Sequence, residues 1–230
     1  MLIIHPDSLS EYAGAVLSAL IIVVCMIGLT LSQDVYEGRP RRDFFCYFTN
    51  HSNLLVLLYF SLAAPHLYAS PRLARLIPMA EYGVTMCILL THLVFHFMIL
   101  PHLHLYTQGA DSPEALRMLT VNTLFVHYIV PWLTLAYWVF CSPQKQTLPL
   151  YAALLWTIIP LLYASAIFLR AHFFGIIPGH DSPYPYPFMD VQERGVPNVI
   201  RCCAALFAAC VLFSGVLLLL VRSLHALIGG

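Results

Sequence analysis

Residues 12–32, YAGAVLSALIIVVCMIGLTLS, run without a single charged side chain. As an α-helix rising about 1.5 Å per residue they can cross the roughly 30 Å hydrocarbon core of a bilayer. In hydrocarbon a backbone must satisfy its own N–H and C=O groups, so such a run is helical. Apolar stretches of this kind fall at 11–32, 44–64, 78–100, 120–141, 149–170 and 199–224. They predict an all-α, polytopic membrane protein, a compact bundle of six transmembrane helices forming one domain over residues 1–230. Only 10% of the residues are charged, against about 25% in a soluble chain. The loops are short apart from 101–119 and 171–198, which leaves no room for a separate soluble domain.

The opening MLIIHPDSLSEY carries no Lys or Arg, and the apolar run behind it is longer than the core of a signal peptide, so it reads as a retained first helix. The expected location is an integral, multi-pass one, in the cytoplasmic membrane if the source is bacterial. Formal net charge is zero, which excludes a basic nucleic-acid surface; the bilayer itself is the expected partner. Arg39, Arg41, Arg42, Arg117, Arg170, Arg194 and Arg201 fall on one side, and Arg72, Arg75, Lys145 and Arg222 on the other. The excess of positive charge belongs in the cytoplasm, which puts both termini outside. Seven cysteines without a CxxC pair read as small buried hydrophobes.

Within the apolar runs, polar residues line up in stripes at 100° per residue. In the second run Thr49, Ser52, Asn53 and Val56 share a face, with Cys46 a turn earlier, whereas His51 points about 160° away from Thr49. The third run aligns Glu81, Thr85, Ile88, His92 and His96, and the fourth Thr120, Thr123, His127, Pro131, Thr134 and Trp138. Pro131 has no N–H for the carbonyl of residue 127. It therefore predicts a kink beside His127 and an open acceptor that water or a neighbouring side chain must take.

Ionisable and polar groups in a span usually face the bundle interior and are functional candidates. Hydroxyls (Thr49, Ser52), imidazoles (His92, His96, His127) and the Asn53 amide around one cavity would suffice for acyl transfer by a hydroxyl with a neutral imidazole as base. The same residues could instead tie helices together, as hydroxyls and histidines do in membranes. His92 and His96 also have the i, i+4 spacing of a metal or haem pair, but neither the HExxH glutamate nor an evident third ligand accompanies them. No metal or other cofactor is assigned. Arg170 could snorkel to the interface or hold an anionic headgroup. The stretch 175–190, GIIPGHDSPYPYPFMD, is too rich in proline to be helical throughout. It reads as an extended connector, or an interfacial anchor with Tyr184 and Tyr186 at headgroup depth.

FFCYFTNHSNLLVLLYF (44–60), VFHFMILP (94–101), VHYIVPWLTLAYWVF (126–140) and SPYPYPFMDV (182–191), in this order and within six spans, resemble the landmarks of the androgen-induced and androgen-dependent TFPI-regulating membrane hydrolases. The likeness extends above all to that family's bacterial branch of six-pass integral membrane proteins. It implies a threonine hydrolase of lipid esters, with an acyl lipid as substrate. Thr49 in FTNHSN would be the nucleophile and His127 in VHYIVP the general base, with His96 matching a further recurrent histidine. Apart from the resemblance, the amide of Asn53 or Asn50 is chemically suited to polarise the carbonyl as an oxyanion donor. A transport or lipid-binding bundle with a histidine proton relay is the alternative from another class.

Overall fold

The computed structural model describes residues 6–33, 41–66, 76–102, 120–142 and 148–228. Arg39, Arg72, Arg75, Arg117 and Lys145, which entered the orientation argument, lie outside these residues. All regular structure among the described residues is helical. The main elements are α1 (Pro6–Ser32), α2 (Phe48–His66), α3 (Ile77–Ile99), α4 (Thr120–Cys141), α5 (Ala152–Phe174) and α6 (Val196–Ile228).

Five of these, all except α2, are long and apolar enough to cross a membrane. The six expected spans therefore reduce to five candidates by length and hydropathy. The polar run Thr49–Asn53 dilutes the apolar character of the first turns of α2. That helix also begins later than its apolar run: Phe44–Cys46 form a 3₁₀ turn, closed by the Cys46 N–H on the Asp43 carbonyl at 2.8 Å.

The contacts divide the chain into two compact units. One holds α1, α2 from Thr49 onward, α3 and α4; the other holds residues 41–48 and 149–228. In the first unit α4 packs against both α1 and α3. The α1–α4 approach depends on Gly28, where a Cβ would stand 2.8 Å from Val126 Cγ1 and 3.3 Å from Phe125 Cβ. Helix α2 adds its apolar face through Val56 and Phe60, both buried, and Phe60 meets Tyr137 of α4 edge to face.

Both α3 and α4 contain π-turns, at Phe95–Ile99 in α3 and at Phe125–Ile129 and Tyr137–Cys141 in α4. A π-turn inserts a residue and rotates everything beyond it relative to the preceding face. The stripe on α3 is accordingly buried at Glu81, Thr85, Ile88 and His92. At the turn Phe95 is buried and His96 is exposed.

In the second unit α5 is interrupted at Trp156–Thr157, because Pro160 has no N–H to offer the Trp156 carbonyl; the Ile159 N–H takes that carbonyl at 3.1 Å. Ser214 of α6 donates to the Ala153 carbonyl of α5 at 3.0 Å, and Gly215 lies beside Ala153. Between the two helices, 175–190 is irregular as its prolines require. Positive φ at Gly175 and Gly179 permits its reversals, and Asp190 caps the one-turn helix Val191–Arg194 by accepting from Gln192 N–H and Glu193 N–H.

Candidate functional site

The polar stripes of the first unit converge where α2, α3 and α4 meet, and the reason lies in the α4 backbone. In the π-turn Phe125–Ile129 the Val130 N–H bonds the Phe125 carbonyl. The next residue able to continue either register is Pro131, which has no N–H. Two carbonyls are thereby opened, Val126 at five residues before the proline and His127 at four. Asn53 Nδ2 of α2 donates to the Val126 carbonyl at 3.3 Å, and His92 Nδ1 of α3 donates to the His127 carbonyl at 2.7 Å. The acceptor expected beside Pro131 thus exists, and a side chain from a neighbouring helix fills it.

Most of the polar side chains here serve such ties. Ser52 Oγ lies 2.7 Å from Thr91 Oγ1 and 3.0 Å from the Thr49 carbonyl, and Thr91 can donate in turn to the Cys87 carbonyl. The second Asn53 amide proton goes to the Thr49 carbonyl at 2.8 Å, while the Asn53 carbonyl accepts from the Cys25 thiol of α1 at 3.0 Å. With both amide protons engaged, Asn53 holds the first turn of α2 and the α4 break and has no N–H left for a substrate oxygen. His92, having its Nδ1 proton on the His127 carbonyl, is enclosed edge-on by Tyr128 and Trp132. His96 stacks on His92 and bonds the Tyr128 hydroxyl from an exposed position. No group of three or more His, Cys, Asp or Glu that could hold a metal occurs among the described residues.

Several candidates keep unused capacity: the Nε2 atoms of His92 and His96 make no hydrogen bond among the described residues, and two further candidates stand out. The half-buried Thr49 has no hydrogen bond to its hydroxyl among the described residues. His127 lies flat on Phe95, ring centroids 4.0 Å apart at 19°, and its Nδ1 is buried without a partner among the described residues. The two are not hydrogen-bonded to each other among those residues. A buried, unpaired polar nitrogen costs roughly 1–3 kcal/mol and demands an explanation.

The second unit reassigns the headgroup candidates. Arg170 Nη1 donates to the Gly175 and Pro183 carbonyls at 2.7 and 3.2 Å, and Nη2 to the Ile176 carbonyl at 3.3 Å. The guanidinium therefore staples the proline-rich segment, whose irregular backbone leaves carbonyls that no helix serves. Tyr186 is buried rather than set at an interface; its hydroxyl accepts from the Phe48 N–H at 3.0 Å and so caps the start of α2. Tyr184, half-buried, rests against Phe168. Cys46, a turn before Thr49 on its stripe, is buried, and its carbonyl accepts from the Tyr163 hydroxyl at 2.7 Å.

One cluster escaped the sequence reading. Asp43, 5% exposed, accepts from Arg41 Nε at 3.0 Å and from His180 Nε2 at 2.9 Å. The Tyr47 hydroxyl lies 3.3 Å from the same His180 nitrogen. Burial alone would raise the Asp43 carboxyl, but the bonds from Arg41 and His180 and the guanidinium charge outweigh it and hold the pKa below the ordinary aspartate value. Asp43 and His180 stand in loops 137 positions apart, where no helical period marks them. Comparison with known proteins adds no identity to this geometry: no family model, no curated protein and no solved structure matches the chain.

Proposed function

We propose that the chain is a multi-pass integral membrane hydrolase of fatty-acyl esters, with α2 as a sixth span, Thr49 as nucleophile and His127 as general base. The observation that carries this reading is the pairing of an unbonded Thr49 hydroxyl with a buried, unpartnered His127 Nδ1 at one helix junction. Where α2, α3 and α4 meet, Ser52, Asn53, Thr91 and His92 are engaged in ties between helices. The hydroxyl of Thr49 and the buried Nδ1 of His127 have no partner among the described residues. These are the two residues that the likeness to the androgen-induced membrane hydrolases names as nucleophile and base.

In this scheme His127 removes the Thr49 proton as Oγ1 attacks the ester carbonyl carbon. It returns the proton to the leaving alcohol, and water then releases the acyl group from Thr49 by the same proton transfers in reverse. Thr49 is the second residue of α2, so the positive end of the helix favours the developing oxyanion. Substrate would enter laterally from the acyl region of the bilayer.

The test is labelling of the purified full chain in lipid nanodiscs with a fluorophosphonate probe. Labelling should fall by about 100-fold or more in Thr49→Ala and in His127→Ala and persist in Ser52→Ala. Labelling of Thr49→Ala at the parent rate overturns the assignment. The helix ties themselves favour a non-enzymatic lipid-binding bundle as the second reading, and that result would select it.

A further inference from the structure

In the second unit, Asp43, His180 and Tyr47 form a group of side chains arranged for proton transfer. We propose that Asp43, His180 and Tyr47 form a second hydrolytic site, in which His180 Nδ1 is the general base that activates water against a carboxylic ester presented at the membrane surface. This proposal does not depend on Thr49 or His127.

Asp43 is held ionised by Arg41 and faces His180 Nε2 at 2.9 Å, so in the neutral ring Nε2 carries the proton and Nδ1 the lone pair. Nδ1 makes no hydrogen bond among the described residues, and the His180 side chain is 32% exposed while that of Asp43 is 7% exposed. A buried carboxylate that orients an imidazole and leaves its other nitrogen open is the arrangement of a general base and its orienting partner.

The ring is also fixed from behind. The His180 N–H bonds the Ile177 carbonyl at 2.9 Å, and the turn that delivers it requires Gly179 at φ +83°. Because Nε2 already holds a proton, it cannot accept one from Tyr47, whose hydroxyl is 3.3 Å away. The Tyr47 proton is therefore available to a substrate oxygen, and Tyr47 is the oxyanion donor of the site. No side chain here can serve as nucleophile: Ser182, two residues on, donates to Asp190 at 2.6 Å and accepts from the Tyr184 N–H. Water is left as the attacking group.

The step balances without a further reactant. His180 Nδ1 takes a proton from water, the resulting hydroxide oxygen bonds the ester carbon, and the carbonyl oxygen takes the negative charge beside Tyr47. Collapse of that adduct breaks the bond to the alcohol oxygen, which leaves with the proton from Nδ1. Asp43 remains ionised throughout as a positioning residue.

The experiment uses the full chain carrying Thr49→Ala, in nanodiscs, with 4-nitrophenyl butyrate as the probe. Turnover above buffer is expected. His180→Gln, whose amide can still donate to Asp43, should lower kcat by about 100-fold or more with little change in KM. Asp43→Asn should lower kcat by at least about tenfold, again without moving KM, as a mispositioned base does. Because either variant could disturb the loops, a second measurement uses the unaltered His180. Its carbethoxylation by diethyl pyrocarbonate, followed by peptide mass spectrometry, should abolish turnover, and hydroxylamine should restore it. Absence of turnover in Thr49→Ala, undiminished turnover in His180→Gln, or turnover that survives complete modification of His180 each overturns the proposal. None of these results touches the fluorophosphonate test of Thr49.

Discussion

His92→Phe removes the Nδ1 donor that serves the His127 carbonyl at 2.7 Å while keeping a flat ring against Tyr128 and Trp132. Interhelical hydrogen bonds in membranes average only about 0.6 kcal/mol and reach about 1.7, because a group that loses its partner usually finds another. Here the nearest substitute would be the N–H of residue 131, which proline lacks. The cost should therefore sit at the upper end, about 1.5 kcal/mol, between that ceiling and the roughly 1–3 kcal/mol for orphaning a buried acceptor. At about 2–4 °C per kcal/mol for a chain of this size, the thermal midpoint in detergent should fall by about 3–6 °C. The decisive measurement is the double-mutant cycle with Pro131→Ala. Restoring an N–H at 131 gives the His127 carbonyl a partner within its own helix, so His92→Phe should then cost less than about 0.5 kcal/mol. An equal loss in both backgrounds would refute the claim that Pro131 opens the acceptor that His92 fills.

Gly28→Ala places a methyl group 2.8 Å from Val126 Cγ1 and 3.3 Å from Phe125 Cβ. Neither is the end of a flexible side chain, so α1 must shift, at about 1–3 kcal/mol of overpacking. Thermal unfolding should show the loss and Val126→Ala should recover part of it; a neutral Gly28→Ala would mean the helices are not in close register. The pH dependence of the second unit follows from Asp43 and Asp190. Burial raises both carboxyls, but Asp43 is lowered on balance by Arg41 and His180, and Asp190 by Ser182 and the N–H groups of Glu193 and Gln192. A depressed carboxyl contributes stability fully above its unfolded pKa, about 3.9, and loses it as pH falls through the lower folded value. Amide exchange at Gln192 and Glu193, corrected for intrinsic rate, should thus be protected at pH 6 and lose protection as pH drops from about 4. Unchanged protection at pH 3 would contradict the shift at Asp190.

How far the site could be read in the sequence depended on whether the cause was local. Pro131 opens a carbonyl by the chemistry of its own ring, so the open acceptor beside His127 was legible. The inward face of α2 was legible too, since Ser52, Asn53 and Val56 recur at helical spacing and all three are buried. The His92/His96 pair does stack as its i, i+4 spacing implies, but spacing gave no sign that His92 is buried and His96, in the π-turn Phe95–Ile99, exposed. For the inward polar residues of α2 the sequence left two readings, chemistry around one cavity or ties between helices; Ser52 and Asn53 are engaged in ties, and the Thr49 hydroxyl makes no hydrogen bond among the described residues.

By itself, then, the sequence determined what hydrophobicity and backbone chemistry impose: helices of spanning length, a proline break in α4, and a proline-rich segment at 175–190 that cannot be helical. Only the tertiary structure decided the partners. Arg170 reads as a snorkelling cation until the Gly175, Ile176 and Pro183 carbonyls fold over it. Asp43 and His180 read as ordinary loop residues until the second unit brings them within 2.9 Å. Hydrophobic period is a property of neighbours along the chain, whereas a hydrogen bond between loops depends on the closure of the whole fold.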